Sequence, residues 1–142
     1  MHLSLFQTSF TVTDLDRSVA FYRDVLGMTL KVTTEVDGEP LSTVTGYPRA
    51  RLKIALMQAG DHEIELIQYL SPQGAGTVPP RRDAGSAHMA FHVDDADSAY
   101  RELTGKGVRF VSPPQDFGQV KACYFLDPDG ITLELIEQKG GA

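Results

Sequence analysis

The sequence predicts an α+β protein built from two tandem βαβββ modules that form a curved mixed sheet around a cavity. Three observations carry that expectation. Extended segments with period-two alternation recur along the chain, a helical stretch headed by aspartate follows the first such segment of each half, and the same order restarts after a proline- and glycine-rich interval at residues 71–84. With 142 residues the chain reads as a single domain, residues 1–142, with module one over about 3–70, a linker over about 71–85 and module two over about 86–138.

In module one, residues 3–12 read as a strand with Thr8, Phe10 and Val12 on one face and Gln7, Ser9 and Thr11 on the other. Thr13 or Asp14 caps the helix that follows, because a short side-chain oxygen satisfies free N–H groups of the first turn. Leu15, Val19, Phe21, Tyr22 and Leu26 then recur near helical spacing until Gly27 ends it. Residues 28–34 are extended, Asp37 and Gly38 turn the chain, and residues 51–58 and 62–70 form a strand pair around Ala59, Gly60 and Asp61. Module two repeats the order: a strand at 87–93, a cap at Asp94 or Asp95, a helix through Ala99, Tyr100 and Leu103 to Gly105 or Gly107, and a strand at 108–111. It closes with a hairpin, in which Pro128 presets the first turn angle, Gly130 accepts positive φ, and the chain returns along residues 131–136.

Overlaying the halves pairs Val12 with Val93, Gln7 with His88 and Glu65 with Glu134. Strand parity puts Phe10, Val12, Leu66, Met89, Phe91, Leu133 and Leu135 beneath the helices. Gln7, Glu65, His88 and Glu134 take the opposite, concave face, with Ile67, Tyr69, Ala90, His92, Ala122, Tyr124 and Ile136 beside them. Cys123 goes to the helix side with Phe125, which makes a nucleophilic role improbable.

Composition narrows the partners. A net charge of −6 without any cluster of lysine or arginine argues against nucleic acid or an anionic membrane and for a small molecule. A single cysteine forbids an internal disulfide, and the N-terminal residues carry neither a signal-peptide pattern nor a long apolar run, so the expected compartment is the cytoplasm.

A carboxylate set mid-strand between apolar neighbours costs several kcal/mol to bury unless something pairs with it, on the order of 2–7 for a polar group alone. Singly, an inward glutamate is commonly a salt-bridge partner and an inward histidine a hydrogen-bonded core residue. Jointly, at corresponding positions of a repeat, one imidazole, two carboxylates and an amide oxygen suit one divalent ion of borderline hardness. Zinc or nickel comes first, with cobalt, manganese or iron(II) also accommodated. Tyr69, His92 and Tyr124 give the pocket an aromatic edge for substrate.

The segments TVTDLDRSVAFYRDVLGM, HEIELIQY, AHMAFHVDD and FLDPDGITLELIE resemble the vicinal oxygen chelate superfamily, which takes in glyoxalase I, methylmalonyl-CoA epimerase, extradiol dioxygenases, fosfomycin-resistance enzymes and bleomycin-binding proteins. The resemblance implies metal ligands at Gln7, Glu65, His88 and Glu134, a set like that of eukaryotic-type glyoxalase I, with Glu134 also the general base. It further implies a divalent-metal-dependent isomerase, epimerase or lyase that works through a metal-stabilised enolate on a small carbonyl substrate, and a homodimer in which modules pair within one chain or by exchange between two. Two departures stand out. Thr11, Tyr69 and Ala84 take the positions at which glyoxalase I holds the glutathione carboxylates with arginine and asparagine, leaving Arg81 and Arg82 of the linker as the nearby cations. Gln7 replaces a histidine that an extradiol dioxygenase would use. The competing expectation is a resistance or sequestration protein that binds an antibiotic or aromatic metabolite without chemistry.

Overall fold

Two sheets make up the protein, one in each of two units that divide between Thr77 and Val78. The computed structural model describes residues 1–140. In the first unit the elements run β1 (Thr8–Thr11), α1 (Leu15–Ala20) continued by a π-helical stretch Phe21–Val25, β2 (Thr29–Asp37), α2 (Glu39–Thr45), β3 (Arg51–Ala59) and β4 (His62–Ser71). Its sheet has the order β1-β4-β3-β2, with β1 parallel to β4 and the other pairs antiparallel. The second unit runs β5 (Met89–His92), α3 (Ala96–Gly105), β6 (Arg109–Phe110), β7 (Gln115–Asp116), β8 (Val120–Leu126) and β9 (Thr132–Gln138). Its order is β5-β9-β8-β6, with β7 also on β8 and β5 parallel to β9. The expected α+β class and the two-fold restart of β-α-β are both present.

The repeat extends to individual hydrogen bonds. Asp14 and Asp95 cap the two helices, accepting from the N–H groups of Arg17 at 3.1 Å and Ser98 at 2.9 Å. A residue from the last strand of each unit satisfies the first helical N–H: Leu15 donates to Gln68 Oε1 and Ala96 to Glu137 Oε2, both at 2.8 Å. Lys53 pairs with Asp16 at 3.0 Å and Lys121 with Asp97 at 2.5 Å, each tying a central strand to the first turn of its helix. The helices therefore lie over the β3–β4 and β8–β9 ladders. Leu15, Tyr22, Ala55, Met57 and Leu66 are fully buried on one side of the first sheet, and Phe125 and Leu133 on one side of the second. Each large apolar side chain so removed from water contributes about 1.5–3 kcal/mol.

Several boundaries depart from expectation for physical reasons. The first strand begins at Thr8, because its ladder with β4 starts at the Thr8–Ile64 pair; Leu3, Leu5 and Phe6 are exposed. After the turn at Gly38 the chain forms α2, with proline in its first turn and Gly46 in the left-handed region at its end, where only a turn was expected. The short β7 was not expected, whereas the helix of the second unit ends at Gly105, one of the two glycines expected to end it, and Gly107 turns the chain at φ 85°. The last hairpin is as read: Asp127, 1% exposed, accepts from the N–H groups of Asp129 and Ile131 at 2.9 Å, and Gly130 adopts φ 89°. No helix among the described residues is long and apolar enough to cross a membrane.

Candidate metal and substrate site

Ladder partners share a face, so register decides what accompanies each predicted ligand. In the second unit Ala90, Glu134 and Tyr124 form one rung across β5, β9 and β8, and His92, Ile136 and Ala122 form the next. His88 precedes β5, and its Nε2 lies 3.0 Å from Glu134 Oε1. The Glu134 side chain is 17% exposed and that of His88 40%, so the carboxylate sits in the wall and the imidazole at the rim. Tyr124 presents its ring edge-on to His88, with centroids 5.1 Å apart. His92 is exposed one rung further along.

In the first unit Ser9, Glu65 and Leu56 form the corresponding rung. Ser9 donates its hydroxyl to Glu65 Oε1 at 2.9 Å. Gln7, half-buried, stands one residue before β1. Tyr69 lies farther along β4, its ring edge against Tyr47 with centroids 5.8 Å apart. Thus His88 and Glu134 are in direct contact, Glu65 is fixed by Ser9, and Tyr124 flanks the His88–Glu134 pair. Among the described residues no group of three or more histidine, cysteine, aspartate and glutamate side chains comes together.

Ser9 and Tyr47 were not singled out as site residues from sequence. Parity placed Ser9 on the right face, and this was the available signal; nothing in sequence ties Tyr47 to Tyr69, because α2 brings it there. Cys123 shares a rung with Leu135 on the helix side and is 5% exposed. Burial, with smaller contributions from the Asp97 and Glu134 carboxylates, pushes its thiol up to about 11.

A family model for the Glyoxalase/Bleomycin resistance protein/Dioxygenase superfamily matches residues 4–135. The chain belongs to that superfamily. The resemblance carried by the four sequence segments is therefore shown. One relative, a 2-epi-5-epi-valiolone epimerase of an Actinomyces species, is 31% identical over 99% of this chain and 82% of its own. A lactoylglutathione lyase of Neisseria meningitidis is 30% identical over 98% of this chain and 94% of its own. Among solved structures, a glyoxalase family protein from Bacillus cereus superposes with a TM-score of 0.84 at 28% identity, covering 99% of this chain and 97% of that one. Glyoxalase I of Leishmania major, at 22% identity and a TM-score of 0.69 over 97% of this chain and 88% of its own, shares the fold.

Proposed function

We propose that the protein is a divalent-metal-dependent isomerase, epimerase or lyase that moves a proton beside the carbonyl of a small substrate. The contact of His88 Nε2 with Glu134 Oε1 at 3.0 Å, on a face whose counterpart in the other module carries Glu65, is the observation that carries this reading. The donor types suit such an ion: the imidazole of His88 and the carboxylate of Glu134, in contact with each other, with the carboxylate of Glu65 and the amide oxygen of Gln7 as the further proposed ligands. Zinc or nickel suits this mixture of nitrogen and oxygen donors. When bound, the ion supplies Lewis acidity to two neighbouring oxygens of the substrate.

The chain's own residues do the rest. Glu134 is the base that takes the proton from the carbon beside the carbonyl and returns it to a neighbouring position. Tyr124 and Tyr69 wall the substrate and limit water, which keeps the carboxylate basic. A module pair from one chain, or from two chains by exchange, completes the ligand set.

Glutathione hemithioacetal is not the substrate in this reading. Thr11, Tyr69 and Ala84 lack the guanidinium and amide groups that would hold its carboxylates, and Tyr69 is engaged by Tyr47. Each charge-assisted hydrogen bond lost removes roughly 1.5–3 kcal/mol.

Metal analysis of the purified protein tests the site: about one transition metal ion per chain is expected, and none in the His88→Ala/Glu134→Ala double variant. Full metal in that variant overturns the assignment. A metal-free protein that still binds aromatic ligands would instead establish the sequestration reading. With zinc or nickel loaded, the methylglyoxal–glutathione hemithioacetal should turn over far below about 10⁴ per molar per second; ordinary efficiency would restore a glutathione-dependent lyase.

A further inference from the structure

Residues 78–82 fold back on the last hairpin of the second unit, on the face that carries Glu134. A Cβ placed on Gly130 would meet Val78 Cγ2 at 3.6 Å, and residues 78–82 with Gly130 and Thr132 line a cavity of about 450 Å³. Thr132 alternates with Glu134 along β9, so this cavity opens on the same side of the sheet as the carboxylate. Arg81 extends across that side. Its guanidinium carbon stands 5.9 Å from the centre of the Tyr124 ring, the ring whose centroid is also 5.1 Å from that of His88. Arg82 follows it in the same wall, 4.0 Å from Asp83, whereas Arg81 has no carboxylate partner among the described residues.

A guanidinium laid over an aromatic face is partly stripped of water while keeping its planar fork of donors, the arrangement suited to binding a carboxylate or phosphate. Its negative counterpart is missing here in a chain that carries 19 acidic and 13 basic residues. We propose that the 78–82 cavity receives an oxyanion, carboxylate or phosphate, borne by the substrate away from its two metal-directed oxygens, with Arg81 as its main partner. This inference rests on the metal-site reading above and adds a substrate class to it: small carbonyl compounds with a negative end group. The anion is gripped from the segment before β5, not from the strands.

Hydroxamates offer two neighbouring oxygens to a metal and test both claims together. Calorimetric titration of the zinc-loaded protein would compare propionohydroxamate, succinomonohydroxamate and 3-phosphonopropionohydroxamate, which differ in carrying no end group, a carboxylate or a phosphonate. At least one anionic probe should bind about tenfold or more tightly than the neutral one. Arg81→Ala should abolish that advantage, with the neutral probe's affinity unchanged as the control for folding and metal content, and Arg81→Lys should restore it in part. The preferred end group separates carboxylate from phosphate substrates. Equal affinities for all three, or a preference that survives Arg81→Ala, overturns the anion site while leaving the metal site standing. Failure of every probe to bind overturns the metal reading and this inference with it.

Discussion

Ser9 holds Glu65: its hydroxyl donates to Glu65 Oε1 at 2.9 Å, while the second module has Ala90 at the matching place beside Glu134. The first-module carboxylate is thus oriented by a neighbour on β1 and the second-module carboxylate by His88. Removing the hydroxyl in Ser9→Ala frees Glu65 to sample other rotamers. Affinity for zinc should fall by about 10–100-fold, as when a hydrogen-bonding neighbour of a metal ligand is lost. Competition with a chromophoric chelator measures this, and unaltered affinity would show that Glu65 needs no such support.

Gln68 and Glu137 perform one task with different chemistry, each accepting the first N–H of its helix at 2.8 Å. Since an amide suffices in the first unit, Glu137→Gln should leave stability nearly unchanged. Glu137→Ala should cost about 1 kcal/mol, or about 2–4 °C in melting temperature, because Ala96 is fully buried and its N–H then has no acceptor. Thermal melts of the two variants decide it; equal losses would assign the role to charge alone.

Cys123 supplies a pH dependence. Its thiol is raised from 9.0 to about 11 by burial, so the unfolded chain gives up this proton first as pH rises. The associated stability is whole below pH 9 and is lost as pH climbs from 9 through about 11. Urea midpoints at pH 8 and pH 10.5 should therefore diverge more for the native sequence than for Cys123→Ala. Identical pH slopes would mean that other groups account for the whole alkaline loss.

The ends of both sheets bear on assembly. β1 and β5 are edge strands of their sheets, and Leu3, Leu5 and Phe6, just before β1, are 80%, 98% and 83% exposed. Open edges next to exposed apolar side chains invite another strand or another chain. Light scattering at micromolar concentration should return the mass of a homodimer; a monomer would remove exchange between chains from consideration.

Much of this was legible because two periodicities agree. Period-two alternation fixed the faces of Leu133, Glu134 and Leu135, and the repeat then matched Glu134 to Glu65 and Val93 to Val12. Register bears out the face assignments around Glu134, Tyr124 and His92. Features that depend on one module alone escaped. Helix α2 was missed because Asp37 and Gly38 read as turn residues and Thr43, Val44 and Thr45 contribute little to helix propensity; the second module has no copy of it to give it away. The position of Arg81 over Tyr124 depends on how a segment without periodicity folds back, and such segments carry no pattern to read.

Helix α2 has one more consequence, for how a duplicated protein changes its substrates. It interrupts the connection between β2 and β3, strands that carry none of the proposed metal ligands, and the segment after it sets Tyr47 against Tyr69 beside the Glu65 face. The second module spans the same step with the two-residue strands β6 and β7. Residues 39–49 can therefore be varied without touching the strands that carry the proposed ligands, whereas Ala50, 1% exposed, belongs to the core. Libraries that randomise this one connection offer a route to altered substrate choice with the metal-binding strands left intact.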